Sequence, residues 1–231
     1  GGSRGLGAGG GVTGGGMVVF EGAQAVLDGS YDITGTTYVW YYSHVDFRGP
    51  VLHVGDCLNL ADANVVVDFH DTPITTENLI VTGELISGDL AVTGRMQWLG
   101  GTMAGSGEIN ILPGAVLELG AGGVLDGRTL NNAGVAMNVP GGVWSPPYGL
   151  RRFFLENGAQ FNNLPGAVFD VDSNPEVPVQ FLQTGSSPAS FNNAGTFRQS
   201  IPWGMEFYGV AFHNSGTVET LAGGTGFHGG Y

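Results

Sequence analysis

A short phrase recurs through the second half of the chain and constrains the fold more than any other feature. An apolar residue is followed by one or two Asn, a small residue, Gly and a β-forming residue. The copies begin at Leu130, Phe161, Phe191 and Phe212, so they are 31, 30 and 21 residues apart. Self-similarity at this spacing is typical of solenoids, in which each repeat packs only against its neighbours.

Each residue type in the phrase suits a corner between two strands. Phe is expected to point inward and to stack from one coil to the next. Asn tolerates left-handed backbone and binds nearby backbone groups, and stacked Asn side chains can form a ladder. The Gly is expected to adopt a positive φ where the chain leaves the corner. The expected inward stack is Phe161, Phe191 and Phe212, and the expected corner ladder is Asn163, Asn193 and Asn214.

A second phrase interleaves with the first. Residues 112–119 read Leu-Pro-Gly-Ala-Val-Leu-Glu-Leu, and residues 164–171 read Leu-Pro-Gly-Ala-Val-Phe-Asp-Val. Pro-Gly predicts a turn, and the residues after it alternate at the period of a strand. With 43 Gly as punctuation and no uninterrupted helical period, the chain is predicted to be all-β. A sandwich or barrel would not explain the repeats, so we predict a parallel β-helix with about ten coils of roughly twenty residues each.

Two regions are predicted. Residues 1–16 are a glycine-rich segment, either a flexible linker or an added strand, and residues 17–231 form the solenoid, with an irregular loop near 140–152. If the glycine-rich segment is ordered, its amides need partners, which an open sheet edge of its own chain or of a neighbouring copy would supply. We name Gly1, Leu6 and Val12 as candidate assembly residues. A head-to-tail contact that does not close would give filaments.

The charge balance counts against two classes of partner. The chain has 20 acidic and seven basic residues, for a net charge of −13. Nucleic acids and anionic membranes require basic patches, so neither is expected as a partner. No apolar stretch is long enough for membrane insertion. Cys57 is the only cysteine, and a buried thiol is expected, with an intermolecular disulfide as the alternative.

The segments Trp98–Gly107 and Leu125–Gly134, together with the Phe-Asn-Asn-Ala-Gly-Thr-Phe phrase, resemble a repeat of large bacterial extracellular proteins. These proteins are similar in style to filamentous-haemagglutinin-type adhesins and autotransporter passengers. The resemblance covers roughly residues 90–231. It implies a right-handed β-helix at the cell surface and no catalytic residues. Our leading hypothesis is therefore a non-catalytic structural module of a surface appendage or adhesin, which self-associates into filaments.

A secreted polysaccharide lyase or hydrolase is the enzymatic alternative, because many β-helices cleave acidic polysaccharides. Such hydrolases use clustered Asp residues as general acid and base. The closest cluster is Asp68, His70 and Asp71, in which alternation would place Asp68 and His70 on one strand face as a proton-relay pair. The paired Asp motifs of those enzymes are absent. We therefore expect an exposed polar face here and no active site.

An aromatic run is the best candidate for binding. Tyr38, Trp40 and Tyr42 alternate along the chain and are predicted to share one strand face. Exposed rings would stack on a surface glycan or on a partner subunit, whereas buried rings would cap the end of the solenoid or pack laterally.

A weak calcium site is the one cofactor considered. Residues 170–176 begin like a calcium loop, with oxygen ligands from Asp170, Asp172, Asn174 and Glu176. Pro175 stands where an EF-hand needs Gly, so this is not an EF-hand and a solvated acidic loop is the alternative. The five His residues show no zinc-ligand spacing.

Overall fold

The computed structural model describes residues 3–139, 151–171 and 178–229. Within these ranges every regular element is a β-strand, which confirms the all-β prediction. In chain order the strands are β1 Ser3–Leu6, β2 Gly11–Gly14, β3 Met17–Glu21, β4 Gln24–Leu27, β5 Ser30–Ile33, β6 Thr36–Trp40, β7 His44–Phe47, β8 Val51–Val54, β9 Cys57–Leu60, β10 Val66–Asp68, β11 Ile74–Val81, β12 Glu84–Ile86, β13 Leu90–Trp98, β14 Thr102–Ala104, β15 Glu108–Ile111, β16 Val116–Leu119, β17 Gly122–Asp126, β18 Thr129–Asn132, β19 Val135–Asn138, β20 Arg151–Glu156, β21 Gln160–Asn163, β22 Val168–Val171, β23 Val179–Thr184, β24 Ser190–Asn193, β25 Thr196–Gln199, β26 Met205–Tyr208, β27 Ala211–Asn214, β28 Thr217–Thr220 and β29 Thr225–His228.

The strands form three faces around one core, and the chain visits these faces in rotation as a β-solenoid. The first face is the 11-stranded sheet β1-β4-β7-β10-β12-β14-β17-β20-β23-β26-β29. The second face comprises the separate three-stranded sheet β2-β5-β8 and, after a break in strand pairing between β8 and β11, the first halves of β11 and β13 followed by β15-β18-β21-β24-β27. The third face runs from β3-β6-β9, through the second halves of β11 and β13, to β16-β19-β22-β25-β28. Because β11 and β13 extend across both the second and the third face, these two faces join there into one sheet.

Every pairing is parallel and links one circuit of the chain to the next. On the first face, Glu84 pairs with Thr102, 18 residues on, and Gly122 pairs with Arg152, 30 residues on. The longer step contains residues 140–150, where the irregular loop was predicted, and these lie outside the described residues. The Asn phrase falls on β18, β21, β24 and β27, which are consecutive neighbours in register, so the repeats mark successive circuits.

The predicted Phe stack forms the core of the later circuits. Phe161 stacks on Phe191 with ring centroids 4.9 Å apart, and Phe191 stacks on Phe212 at 5.7 Å. Phe161 and Phe191 are fully buried, as predicted. Phe212 is only partly buried, because it lies on β27, the last strand of the second face.

The predicted Asn ladder is present at the corners of the same circuits. The Nδ2 of Asn132 donates to Oδ1 of Asn163 at 2.9 Å, Asn163 donates to Asn193 at 2.8 Å, and Asn193 donates to Asn214 at 2.7 Å. Asn163 also donates to the carbonyl of Thr196 at 3.0 Å, which ties the corner to the next strand. Since the inner amides are buried, these bonds satisfy groups that would otherwise be costly.

The prediction of positive φ at the Gly of each phrase is wrong. Gly134, Gly195 and Gly216 are absent from the residues with positive φ. A Cβ on Gly195 would instead collide with the Ala167 carbonyl oxygen of the preceding circuit. The Gly is therefore required because two backbones approach closely at the corner, and its conformational freedom is not used.

The Pro-Gly turn is confirmed. Gly114 and Gly166 have φ of 87° and 83°. The residue after each Gly donates its N–H across the turn, from Ala115 to the Leu112 carbonyl at 3.0 Å and from Ala167 to the Leu164 carbonyl at 3.0 Å. Pro followed by Gly at positive φ is the pattern of a type II turn.

One buried cation, the guanidinium group of Arg128, links three circuits through hydrogen bonds. The Arg128 guanidinium, 2% exposed, donates to the Ser87 hydroxyl at 2.8 Å and to the carbonyls of Gly88 at 2.6 Å and Ala104 at 2.8 Å. Burial lowers the pKa of Arg128 to about 10, while the charge of Asp89 acts in the opposite direction. The hydrogen bonds replace the water that the guanidinium loses.

Candidate functional site

The glycine-rich segment forms the first circuit of the same chain. In β1, Ser3 through Leu6 pair with Gln24 through Leu27, and in β2, Gly11 through Gly14 pair with Ser30 through Ile33. Of the two alternatives for this segment, linker or added strand, the structure shows the strand. The backbone of β1 and β2 is thus paired on one side only.

Core-facing side chains of the first circuit are incompletely covered. Leu6, Val12 and Phe20 are register partners of buried residues in the next circuit, so they face the core. They are nevertheless only partly buried. Leu6 and Val12 are two of the candidate assembly residues, and the third, Gly1, lies outside the described residues.

The opposite end is more open. Phe227 of β29 is 56% exposed although its ring stacks at 5.4 Å on the fully buried Phe207. Val218, the register partner of the buried Phe197, is 40% exposed. Phe212 and Phe227 help to line an open hollow of about 430 Å³. The core therefore reaches solvent at this end.

In the part of the chain that the structure describes, exposed large apolar side chains lie in the first and the last circuits. Among the described residues between Leu52 and Trp203, no large hydrophobic side chain is exposed. Clusters of this kind mark interaction surfaces more often than isolated exposed residues do. The set near the first circuits is Met17, Val19, Trp40, Tyr41, Tyr42 and Leu52, and the set near the last is Trp203, Val218, Leu221 and Phe227.

Each end also presents unpaired strand edges. Within the described part of the chain, β1, β2 and β3 at one end and β27, β28 and β29 at the other have a neighbour on one side only. Their free N–H and C=O groups are a template for another strand. We call the two surfaces the N-terminal end and the C-terminal end.

The aromatic run lies on the outer surface near the N-terminal end. Tyr38 and Trp40 are on the outer side of β6, with ring centroids 6.4 Å apart. β6 ends at Trp40, so Tyr42 does not share the strand face as predicted and instead lies in the following turn. Ring contacts continue from Trp40 to Tyr41 at 5.9 Å and from Tyr41 to Tyr42 at 5.6 Å. We call these four residues the aromatic row; Trp40, Tyr41 and Tyr42 are 36%, 56% and 60% exposed.

The turn that carries the aromatic row is strained. Tyr41 and Tyr42 have φ of 54° and 57°, the left-handed region that bulky residues rarely adopt. At the corresponding corner one circuit earlier the residue is Gly22, with φ of 55°. Each such residue costs of order 1 kcal/mol or more, and strain of this kind concentrates at functional sites. The exposed tyrosines are therefore a candidate binding feature.

A polar cluster forms around His70 on the outer side of the first face. Asp46 and Asp68 are register partners on neighbouring strands. The His70 Nε2 lies 2.7 Å from Asp46 Oδ1 and its Nδ1 lies 3.7 Å from Asp68 Oδ2. Arg48 donates to the other oxygen of Asp46 at 2.7 Å. Asp71 is engaged elsewhere, since it accepts a hydrogen bond from Ser106.

Asp68 and His70 come together, but not by alternation along a strand. β10 ends at Asp68, and His70 has a φ of 52° in the turn that follows. The Asp68 carboxylate accepts the His70 backbone N–H at 2.7 Å and so closes this turn. The ligand atoms of Asp46, Asp68 and His70 lie within 4.8 Å of one another, a set that could bind a divalent cation or relay a proton. A cation would have to separate the His70–Asp46 hydrogen bond, and the His70 side chain is 50% exposed.

The calcium prediction is largely outside the described residues. Asp172, Asn174 and Glu176 fall in the range 172–177. Asp170 accepts a hydrogen bond from Nη1 of Arg198 at 3.2 Å, and Arg198 also donates to Glu219 at 2.8 Å. Hydrogen bonds to Glu219 and Asp170 raise the pKa of Arg198. The described part of this site is thus an ion-pair ladder on the third face.

Cys57 is half-buried on the outer side of β9, not in the core as expected. Burial raises the pKa of its thiol, which lowers its reactivity at neutral pH.

Three features could not be predicted from the sequence. Asp46 joins the His70 cluster only through strand register, and Tyr41 joins the aromatic row only through its unusual φ. The inward-directed Arg128 belongs to a polar Asp-Gly-Arg-Thr stretch that would ordinarily be assigned to the surface. An Arg directly after a turn and before a repeat phrase is the one signal that could have drawn attention to it.

No protein-family model, curated protein or solved structure significantly matches the chain. Among the described residues there is no helix with the length and apolar character needed to span a membrane.

Proposed function

We propose that this chain is a non-catalytic structural module of a bacterial cell-surface appendage or adhesin, and that it associates end to end into filaments. One observation carries the proposal: in the described residues, core-facing side chains are incompletely covered at both ends, where all three faces also finish in unpaired strands. These side chains are Leu6, Val12 and Phe20 at the N-terminal end and Phe212, Val218 and Phe227 at the C-terminal end. The bacterial and surface location rests on the resemblance of residues 90–231 to exported repeat proteins.

The proposed winding is a right-handed β-helix of ten circuits followed by one further strand. Connections that return the chain to a parallel neighbouring strand are right-handed in nearly all known sheets. With strands about 4.8 Å apart, ten circuits span roughly 50 Å along the axis.

End-to-end contact follows from the direction of the strands. Because every pairing is parallel, the N-terminal end of one copy can approach the C-terminal end of another with each face continuing in the same direction. The two surfaces differ, so the contact is heterologous, and a heterologous contact that does not close produces a filament. Added strands also satisfy the unpaired backbone groups.

The interior is suited to a mechanical role. The Phe stack and the Asn ladder repeat the same contacts in successive circuits, from Asn132 to Asn214. Stability in such an array comes from interfaces between neighbouring circuits. The acidic surface, with a net charge of −13, favours solubility and disfavours acidic partners.

Sedimentation velocity and negative-stain electron microscopy over a range of concentrations test the proposal. The full chain is expected to form concentration-dependent filaments with an axial repeat of about 50 Å. Phe227→Glu is expected to abolish them, because a charge would be buried at the contact. The matched control is Leu52→Glu, which places the same charge at a side chain that is 64% exposed on the outer side of β8.

Leu52→Glu is expected to assemble like the unaltered chain. A full chain that stays monomeric at every concentration, or equal assembly of the two variants, would contradict end-to-end association. Circular dichroism on both variants establishes that the solenoid is intact.

A second candidate function, binding of a neutral glycan, is favoured by the strained aromatic row. Titration calorimetry with cellohexaose as a neutral probe and an oligogalacturonate as an acidic probe tests it. Trp40→Ala is expected to weaken binding of the neutral probe about tenfold, through loss of ring stacking. Trp203→Ala, which removes a Trp that is 62% exposed near the other end, is the control. Unchanged affinity in Trp40→Ala would refute this role for the row.

A further inference from the structure

The two ends of the solenoid do not match in the number of strands. Within the described residues the first face has 11 strands, from β1 to β29. The second face has ten: three in β2-β5-β8, one each from the first halves of β11 and β13, and five from β15 to β27. The third face has ten by the same count. The C-terminal end is therefore stepped, with β29 one layer beyond β27 and β28.

The step creates a conflict when two copies meet. If β2 and β3 of an incoming copy pair directly with β27 and β28 of the first copy, the second and third faces continue without a gap. The layer between β26 of the first copy and β4 of the incoming copy then has room for one strand. Both β29 of the first copy and β1 of the incoming copy would occupy it.

The alternative junction keeps both strands and leaves a gap. If β1 of the incoming copy pairs with β29, the second and third faces are each interrupted by one missing layer of about 4.8 Å. Phe212, Val218 and the incoming Val12 would then remain uncovered. Two of the three faces would also keep their unpaired edges, which is costly away from water.

Of the two competing strands, β29 makes the more extensive aromatic contacts, although Phe227 is 56% exposed. Phe227 of β29 stacks on Phe207 at 5.4 Å and contacts Phe212 at 4.9 Å, and His228 stacks on Tyr208 at 4.3 Å. β1 reads Ser-Arg-Gly-Leu, so it has no aromatic ring and places a single large apolar side chain, the partly buried Leu6, against the core. The four residues that follow β1 are Gly, Ala, Gly and Gly, so the chain there can change direction at little steric cost.

We propose that copies of this chain join by strand exchange, with β29 of one copy displacing β1 of the next copy from the edge of β4. The inference rests on the end-to-end assembly proposed above. It assigns β1 a role as a removable cover. While β1 is in place it pairs with β4 in its own chain, and it leaves when β29 of another copy takes its position, so that the backbone groups at the edge of β4 always have a partner.

Two single substitutions in the full chain change the stability of the pairing between β1 and β4 in opposite directions. Gly5 lies in β1, and a Cβ there would meet only the Val26 carbonyl oxygen, at 3.8 Å. Gly5→Val therefore fits and raises strand propensity, which anchors β1. Leu6→Gly removes the apolar anchor and frees β1. The matched control is Val12→Gly in β2, because no strand of the other copy competes with β2 for its position at the junction.

The measurement is the critical concentration for assembly, by light scattering. Under strand exchange it is expected to rise about fivefold in Gly5→Val and to fall about fivefold in Leu6→Gly, the range set by strand propensities. Val12→Gly is expected to raise the critical concentration. If Leu6→Gly raises the critical concentration as Val12→Gly does, or if neither β1 variant changes it, strand exchange is overturned while end-to-end assembly stands. If no chain assembles at all, the end-to-end proposal itself fails.

Discussion

Phe191 illustrates how firmly a single residue is fixed in this solenoid. Its ring stacks on Phe161 at 4.9 Å and on Phe212 at 5.7 Å, and it meets Phe169 edge-on at 5.1 Å and Phe197 edge-on at 5.8 Å. The contacts come from the circuit before, the circuit after and its own circuit. A side chain enclosed on every side leaves a cavity when it is truncated, because its neighbours are held by their own stacks.

We expect Phe191→Ala to lower the free energy of unfolding by about 3–5 kcal/mol, through lost apolar burial and the cavity left behind. Urea denaturation followed by far-ultraviolet circular dichroism measures the change. Phe227→Ala is the matched control: its ring is 56% exposed, so the loss should be about 1 kcal/mol. Equal losses in the two variants would contradict the burial difference on which the register depends.

Single-residue roles could be predicted where the sequence repeats them. Phe161 and Asn163 were placed correctly because their copies define both the face and the corner. The reason for the corner Gly was wrong, since a Gly needed for close backbone approach and a Gly needed for positive φ look the same in sequence. Asp46 was missed because its contact with His70 spans 24 residues and depends on register.

At the scale of strands and turns, the all-β class and the order of repeats were predictable, but strand ends were not. β6 ends at Trp40 and β10 ends at Asp68, and in each case the alternating pattern continues past the end. The chain leaves the strand through residues at positive φ, such as Tyr41 and His70. Tyr is disfavoured there, and His adopts this conformation only occasionally although it is enriched among non-glycine residues, so propensity gives little warning of the turn.

The sequence left the first circuit open between a linker and an added strand, and it did not predict the joined faces. β1 and β2 are strands although a glycine-rich composition indicates a linker. Backbone pairing with β4 and β5 stabilises them, whereas their own side chains contribute little. β11 and β13 each extend from the second face to the third, and the pairing of these two strands shifts register between Thr76 and Asn78. No Gly or Pro marks this corner in β11, and Gly94 is the one signal in β13, because the chain bends within continuous strands.

At the scale of the whole molecule, the solenoid is nearly one-dimensional. Each circuit contacts the one before and the one after, so stability is close to a sum of interface contributions. Interior circuits have two such interfaces, whereas the terminal circuits have one. The Phe and Asn stacks run through the interior, and their last members, Phe212 and Asn214, are only partly buried and exposed, respectively. The ends should therefore open locally at much lower free energy than the middle.

Hydrogen exchange resolved by mass spectrometry tests both the difference in local opening free energy between the ends and the middle and the proposed assembly. Below the critical concentration, we expect the slowest exchange in the middle strands, such as β13 and β18, and the fastest in β1 to β3 and β27 to β29, because only one neighbour protects the terminal strands. Above it, β2, β3, β27 and β28 should become protected as both of their edges pair. β1 should exchange faster than before, since strand exchange removes it from β4. Phe227→Glu at the same concentration is the control and should gain no protection. Protection that increased evenly along the chain, or chiefly in the middle circuits, would mean that copies associate side by side, and the two ends would then lose their proposed role.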